Sequence, residues 1–174
     1  MELQQAIALI HYHETFNKEK MIWADLGCGA GLFTNALAHF LKDGSKIFAV
    51  DKNIAGFKNL PGANEVVIEK IKADFINDEL KIEKLDGILM ANSLHYVKNK
   101  FAFIKKIEKH FKNNGCFLIV EYDMDKSNPW VPYPLSFEPL RRFFEETGYT
   151  SFNKINEAPS RFNRSKIYSV FIRK

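Results

Sequence analysis

The stretch Ala24-Asp25-Leu26-Gly27-Cys28-Gly29-Ala30-Gly31-Leu32-Phe33-Thr34, with glycines at alternate positions, restricts the fold of this chain more than any other feature. The apolar run Met21-Ile22-Trp23 before it reads as a buried strand, about 21–25. Asn35-Ala36-Leu37-Ala38-His39-Phe40-Leu41 after it reads as part of a helix, about 31–42. Between strand and helix such a turn lets backbone press against a ligand, because a Cβ would block either the positive φ angles or the close approach. The amides and the positive dipole end of the following helix point to the same place.

The spacing is G-x-G-x-G, and Leu32 stands where the third glycine of the dinucleotide fingerprint would fall. Asp25 ends the strand just before the turn, where it would repel a pyrophosphate and hold an ammonium group. Both features count against a nicotinamide-dinucleotide oxidoreductase, which stays as an alternative.

The 174 residues suit a single α/β domain, 1–174. Net charge is +4, too mild to demand a nucleic-acid partner. Much of it falls on one amphipathic helix, where Phe101, Ile104, Ile107 and Phe111 share a face and Lys105, Lys106 and Lys109 lie outside it. That reads as a solvated face, with a polyanion site as the alternative. No apolar run is long enough to span a bilayer, and Met1-Glu2-Leu3 opens no signal peptide, so the expected setting is cytoplasmic. Cys28 and Cys116 are too few for a disulfide framework or zinc site. His11 and His13 sit two apart on an N-terminal helix, on different faces, so no metal site is expected.

Along the chain, residues 2–19 read as a helix. Strands follow at 46–51, 65–70, 86–90 and 116–120, with a short helix near 53–59, the basic helix after the fourth strand, and a turn at Asn113-Asn114-Gly115. Residues 135–147 look helical, and 149–155 and 166–172 read as the last strands. The alternation predicts an α/β fold: a Rossmann-like three-layer sandwich with a seven-stranded, mostly parallel sheet and an antiparallel C-terminal strand hairpin. It places Asp25, Asp51, Asp74, Asn92 and Glu121 at the carboxyl ends of strands, where ligands bind in open α/β sheets.

At this point the chain resembles the class I S-adenosylmethionine-dependent methyltransferases over roughly residues 20–125. Asp25 with Gly27, Cys28, Gly29 and Gly31 resembles motif I, and Phe48-Ala49-Val50-Asp51, followed by Lys52, resembles motif II, whose acid holds the ribose hydroxyls. Lys72-Ala73-Asp74-Phe75 resembles motif III, with the acid on the adenine amino group and Phe75 on the ring. The segment Asp86 to Val97, including Asn92, resembles motif IV of small-molecule enzymes, and Asn113 to Glu121 resembles motif V. The resemblance implies S-adenosylmethionine as cofactor, a small-molecule acceptor, and an N-terminal helix, 1–19, covering the site. Asn92-Ser93-Leu94-His95 replaces the Asp/Asn-Pro-Pro-aromatic signature of nucleic-acid amino methylation, and neither cysteine follows a proline. A methyltransferase acting on RNA or protein, and a non-catalytic cofactor-binding module, remain rival readings.

Methyl transfer from a sulfonium asks mainly for alignment and exclusion of water. A base helps where the acceptor is a hydroxyl or an acidic carbon. His95 is the first candidate and Glu121 the second; their plain alternatives are a packing histidine and a structural acid. Tyr96, Tyr122, Trp130 and Tyr133 fall in the loops beside the expected acceptor, and Arg161 could hold an acceptor carboxylate or phosphate. Cys28 reads as a small filler residue, not a nucleophile.

Overall fold

The computed structural model describes residues 1–12, 16, 19–59, 64–160 and 165–174. Its sheet has seven strands in the order β3-β2-β1-β4-β5-β7-β6. They are β1 (Ile22–Leu26), β2 (Lys46–Asp51), β3 (Val67–Lys72), β4 (Leu85–Ala91), β5 (Phe111–Tyr122), β6 (Ser151–Pro159) and β7 (Lys166–Arg173). β1 to β5 pair in parallel, and β7 pairs antiparallel with both β5 and β6. This is the Rossmann-like arrangement with a C-terminal antiparallel hairpin that the sequence predicts.

Period-2 alternation sends side chains from each central strand into two cores. Ala24, Leu26, Ile88, Met90, Phe117 and Ile119 enter one, against α3 (Lys100–Ile107) and α4 (Phe137–Glu146). Trp23, Leu89, Leu118 and Val120 enter the other, against α1 (Leu3–Ile10) and α2 (Leu32–Ala38).

Several boundaries differ from expectation, each for a local reason. The N-terminal helix stops at Ile10 instead of running on to residue 19, and aromatic stacking takes over. His11 and Phe16 stack on Phe40 at 5.2 and 4.9 Å, and Tyr12 packs on Phe171 at 5.2 Å. His13 lies outside the described residues. No helix forms at 53–59, because side chains compete for the amides a helix would use. Asp51 Oδ1 accepts from Asn53 N–H at 2.9 Å and Asn53 Oδ1 from Ala55 N–H at 3.1 Å. The segment instead lies on the glycine turn, with Lys58 N–H bonded to the Ala30 carbonyl at 3.1 Å. The predicted turn at 113–115 is an irregularity within β5: Leu85 pairs with Phe111, yet Gly87 pairs with Cys116. Among the described residues no helix is long and apolar enough to cross a membrane.

β1 and β4 meet tightly. Trp23 is fully buried opposite Gly87, and a Cβ on Gly87 would lie 2.4 Å from its ring. A fully buried indole cannot move aside without disturbing the α1–α2 layer. Gly87→Ala is therefore expected to lower stability by about 2 kcal/mol or more. Urea unfolding of the two proteins checks this, and an unchanged midpoint would mean that the contact is soft.

Candidate active site

The glycine turn is built as its sequence requires. Gly27 and Gly31 have φ of +84° and +88°, open to glycine and strained for any other residue. A Cβ on Gly27 would sit 2.5 Å from Ser93 Cβ, and one on Gly31 would sit 2.7 Å from the Phe57 ring. Ser93 is held beneath by donating to the Leu26 carbonyl at 2.6 Å. The turn is thus pressed between two side chains, leaving its outer backbone to a ligand.

Two acids close the strands beside it. Asp51 ends β2, and its Oδ2 accepts from Gly29 N–H at 2.9 Å. Asp25 is almost wholly buried; its Oδ2 accepts from the Thr34 hydroxyl at 2.6 Å, while its Oδ1 has no partner. Burial pushes its carboxyl up to about 7, with Thr34 pulling the other way and Asp51 adding to the rise. Cys28 behaves as filler: burial, then Asp25 and Asp51, push its thiol up to about 12.

A cavity of about 370 Å³ opens beside the turn, lined by Gly27, Asp51, Lys52, Phe75, Asn92 and Ser93 among others. Lys52 pairs with Asp74 at 2.9 Å. Asp74 does not line this cavity, and its carboxylate is spent locally on Ile76 N–H, the Asn77 amide and Lys52. Burial opposes ionisation there, but hydrogen bonds from Lys52, Asn77 and Ile76 hold its carboxyl below the ordinary range. Phe75 is nearly buried, edge-on to Phe103, with part of its ring at the cavity wall.

A larger cavity of about 670 Å³ lies over β4 and β5, lined by Asn92, His95, Tyr96, Tyr122, Asn128, Trp130 and Val131. His95 and Glu121 are both buried, and His95 Nδ1 meets Glu121 Oε2 at 2.8 Å. Glu121 also accepts from the His95 amide at 3.1 Å and the Tyr122 amide at 3.3 Å. His95 Nδ1 can donate to that carboxylate oxygen, which leaves Nε2 as the ring nitrogen open to an acceptor. Glu121 sits behind His95 and does not line the cavity. Burial, then Glu121 and Tyr96, raise the Tyr122 phenol above its usual range, so it stays a donor.

Trp130 is 75% exposed at the rim, on a turn in which Asn128 Oδ1 accepts from the Trp130 and Val131 amides at 2.9 Å. Tyr133 does not line this cavity; its amide donates to the His95 carbonyl at 3.0 Å. A third cavity of about 440 Å³ reaches from Asn92 and Tyr122 to Met1 and Gln5 of the N-terminal segment. Asn92 borders all three cavities, at φ +54° and with its buried Oδ1 unpartnered. Arg161 lies outside the described residues.

Sequence reasoning did not nominate Thr34, Phe57, Ser93, Asn128 and Val131; Phe57 and Ser93 act through contacts distant in sequence, and Asn128 and Val131 through a local turn. Of the lysines read as a solvated face, Lys105 and Lys109 are exposed and Lys106 is half-buried. In the structure Lys106 donates to the Ile76 and Asp78 carbonyls, Lys105 pairs with Glu108, and Lys100 donates to the Val97 and Tyr133 carbonyls. Among the described residues no cluster of His, Cys, Asp and Glu could hold a metal ion.

A parallel sheet with this strand order, a glycine turn after β1, and acids closing β1 and β2 defines the architecture of the class I methyltransferases. The chain belongs to that group: residues 24–117 match the methyltransferase-domain family. It is 30% identical over 110 residues to a ubiquinone biosynthesis O-methyltransferase of Rickettsia akari, an alignment covering 63% of this chain and 42% of that protein. The chain spans less than half the length of the curated relatives it matches. In fold it is similar to the 1,6-didemethyltoxoflavin N1-methyltransferase of Burkholderia thailandensis, solved with that compound and S-adenosylhomocysteine. The TM-score is 0.68 at 17% identity, over 99% of this chain and 77% of the other. A S-adenosylmethionine-dependent methyltransferase from Archaeoglobus fulgidus matches with TM-score 0.69 at 17% identity, over 99% and 95% of the chains.

Asp25 has a consequence for stability. Its folded value lies above its unfolded one, so between about pH 4 and 7 the folded chain keeps a proton that the unfolded chain has lost. Its contribution to stability therefore falls as pH rises through that window, by up to about 4 kcal/mol. Asp25→Asn is expected to flatten that part of the profile. Urea midpoints of both proteins at pH 4.5 and 7.5 test this; parallel profiles would show Asp25 ionised throughout.

Proposed function

We propose that this chain is one domain that transfers the methyl group of S-adenosylmethionine, in line, to a small uncharged acceptor bearing an acidic proton. The observation that carries it is the meeting, at Asn92, of the glycine-turn cavity and the cavity holding the buried His95–Glu121 pair. The donor suits the residues present. Asp25 leaves a buried acceptor oxygen unpartnered beside the turn, and Gly27, Asp51 and Phe75 line the cavity there. Asp51 would hold the ribose hydroxyls, Phe75 would pack on the adenine, and Asp25 would face the ammonium group. When bound, S-adenosylmethionine supplies an electrophilic methyl on a sulfonium whose sulfur departs as a neutral thioether.

His95 Nε2 would take the acceptor's proton while the acceptor atom's own electron pair closes on the methyl carbon, and Glu121 would steady the imidazolium that results. Such a base serves oxygen and ring nitrogen alike, in keeping with the O-methyltransferase and N1-methyltransferase among the similar proteins. The uncharged acceptor follows from the lining: apart from His95, the cavity wall is aromatic, amide and aliphatic. Free, buried Cys28 and Cys116 support a cytoplasmic setting.

Calorimetric titration with S-adenosylmethionine and S-adenosylhomocysteine tests the donor. One-site binding is expected, and Asp51→Ala should weaken it by about 1–3 kcal/mol. Binding of NADH in place of both would instead favour an oxidoreductase. His95→Gln should spare donor binding and slow transfer by about 10²–10⁴-fold, followed with labelled methyl on phenols, enols and ring N–H compounds. Full activity in that variant would remove His95 as the base.

A further inference from the structure

We infer that Lys100 is a positioning residue for His95: its ammonium ties the loop bearing Trp130 and Tyr133 to the turn bearing the base. The inference rests on the reading of His95 as the base. Lys100 is the first residue of α3, whose start is fixed by Asn99, the side chain of which accepts from Ala102 N–H at 3.0 Å. A cation in a first turn is disfavoured by the helix dipole, so the position needs another reason.

The contacts supply one. Lys100 Nζ donates to the Val97 carbonyl at 2.9 Å and to the Tyr133 carbonyl at 2.8 Å, and lies 5.9 Å from the Tyr133 ring centroid. Val97 follows the short 3-10 turn Leu94–Tyr96 that carries His95. The Tyr133 amide in turn donates to the His95 carbonyl at 3.0 Å. Loop and turn are thus clasped by one ammonium and one backbone bond. The far end of the loop is held separately, by Tyr168 donating to the Leu135 carbonyl at 2.7 Å.

The same ammonium feels Glu121. Burial lowers the Lys100 ammonium below its ordinary range, and Glu121 partly restores it. Glu121 is the acid that meets His95 Nδ1. The other titratable groups at the pair are Tyr96 and Tyr122, whose rings flank His95 at 4.4 and 6.0 Å, and Tyr168 of β7, which faces Glu121.

Lys100→Met removes the ammonium and keeps most of the stem; Lys100→Arg keeps the charge. Two readouts by NMR on the unliganded protein require no acceptor, so failure of the methyl-transfer reading would leave them unchanged. In Lys100→Met the Tyr133 amide should exchange at least about tenfold faster than in the parent, while core amides of β4 and β5 hold their rates and report an intact fold. At one fixed pH the His95 side-chain signals should move from their parent positions, because the turn that carries the ring is no longer tied to the loop. Lys100→Arg should restore both readouts. Faster exchange with unmoved His95 signals in Lys100→Met would reduce Lys100 to a tie of the loop alone and overturn the inference. Unchanged exchange, or His95 signals that Lys100→Arg fails to restore, would overturn it too.

Discussion

A parallel sheet covered on both faces has nowhere to place polar side chains except at the ends of its strands. In this chain the register brings those ends level: Asp25 pairs with Ala49 of β2 and with Leu89 of β4, and Ala91 pairs with Val120 of β5. Shifting any one strand by a residue would swap its core faces and move its terminal polar group at the same time. The packing that fixes the sheet therefore also fixes the distances among Asp25, Asp51, Asn92 and Glu121. Trp23 against Gly87 is one expression of that constraint, since the indole occupies the place a Cβ on Gly87 would need.

The acids at these ends are treated differently, and the difference is informative. Glu121 has a donor for each of its oxygens and Asp74 is bonded by its own turn and by Lys52. Asp51 is bonded by Gly29 and Asn53 amides, both at the exposed edge of the turn, where a ligand's hydroxyls can compete. Asp25 alone is deeply buried with an oxygen left over. Burial without a partner is costly for a carboxylate, and its upward-shifted ionisation is the form that cost takes. A cation bound beside it would relieve the cost.

Legibility in the sequence followed the range of the interactions. Local patterns carried the glycine turn, the mostly parallel sheet with its antiparallel C-terminal hairpin, and the placing of Asp25, Asp51, Asn92, His95 and Glu121 near one edge. The same patterns failed where side chains outbid the backbone: Asp51 and Asn53 unmade the expected helix at 53–59, and aromatic stacking ended α1 early. They failed again where partners are distant in sequence. Nothing near Lys100 announces that its ammonium reaches Tyr133, and nothing near Thr34 announces the Asp25 carboxylate. The His95–Glu121 contact joins residues from two strand ends, so each could be nominated from the sequence but not the pair.

The two sides of the site divide their roles in physical terms. On the β1–β2 side the backbone is held at positive φ, Asp25 Oδ1 lacks a partner, and Asn92 Oδ1 at the junction lacks one as well. An unmade buried hydrogen bond costs about 1–3 kcal/mol, so this side is incomplete in a way that a bound ligand can complete. On the β4–β5 side the polar network is closed: His95, Glu121, Tyr133 and Lys100 bond one another or backbone. A closed network does not reorganise when charge moves, which is what a base must offer at the moment it accepts a proton. On the proposed reading, binding energy would be gained where the chain was left unsatisfied, and proton transfer would occur where it was already satisfied. Asn92, which borders the three cavities at this edge of the sheet, stands where the two meet.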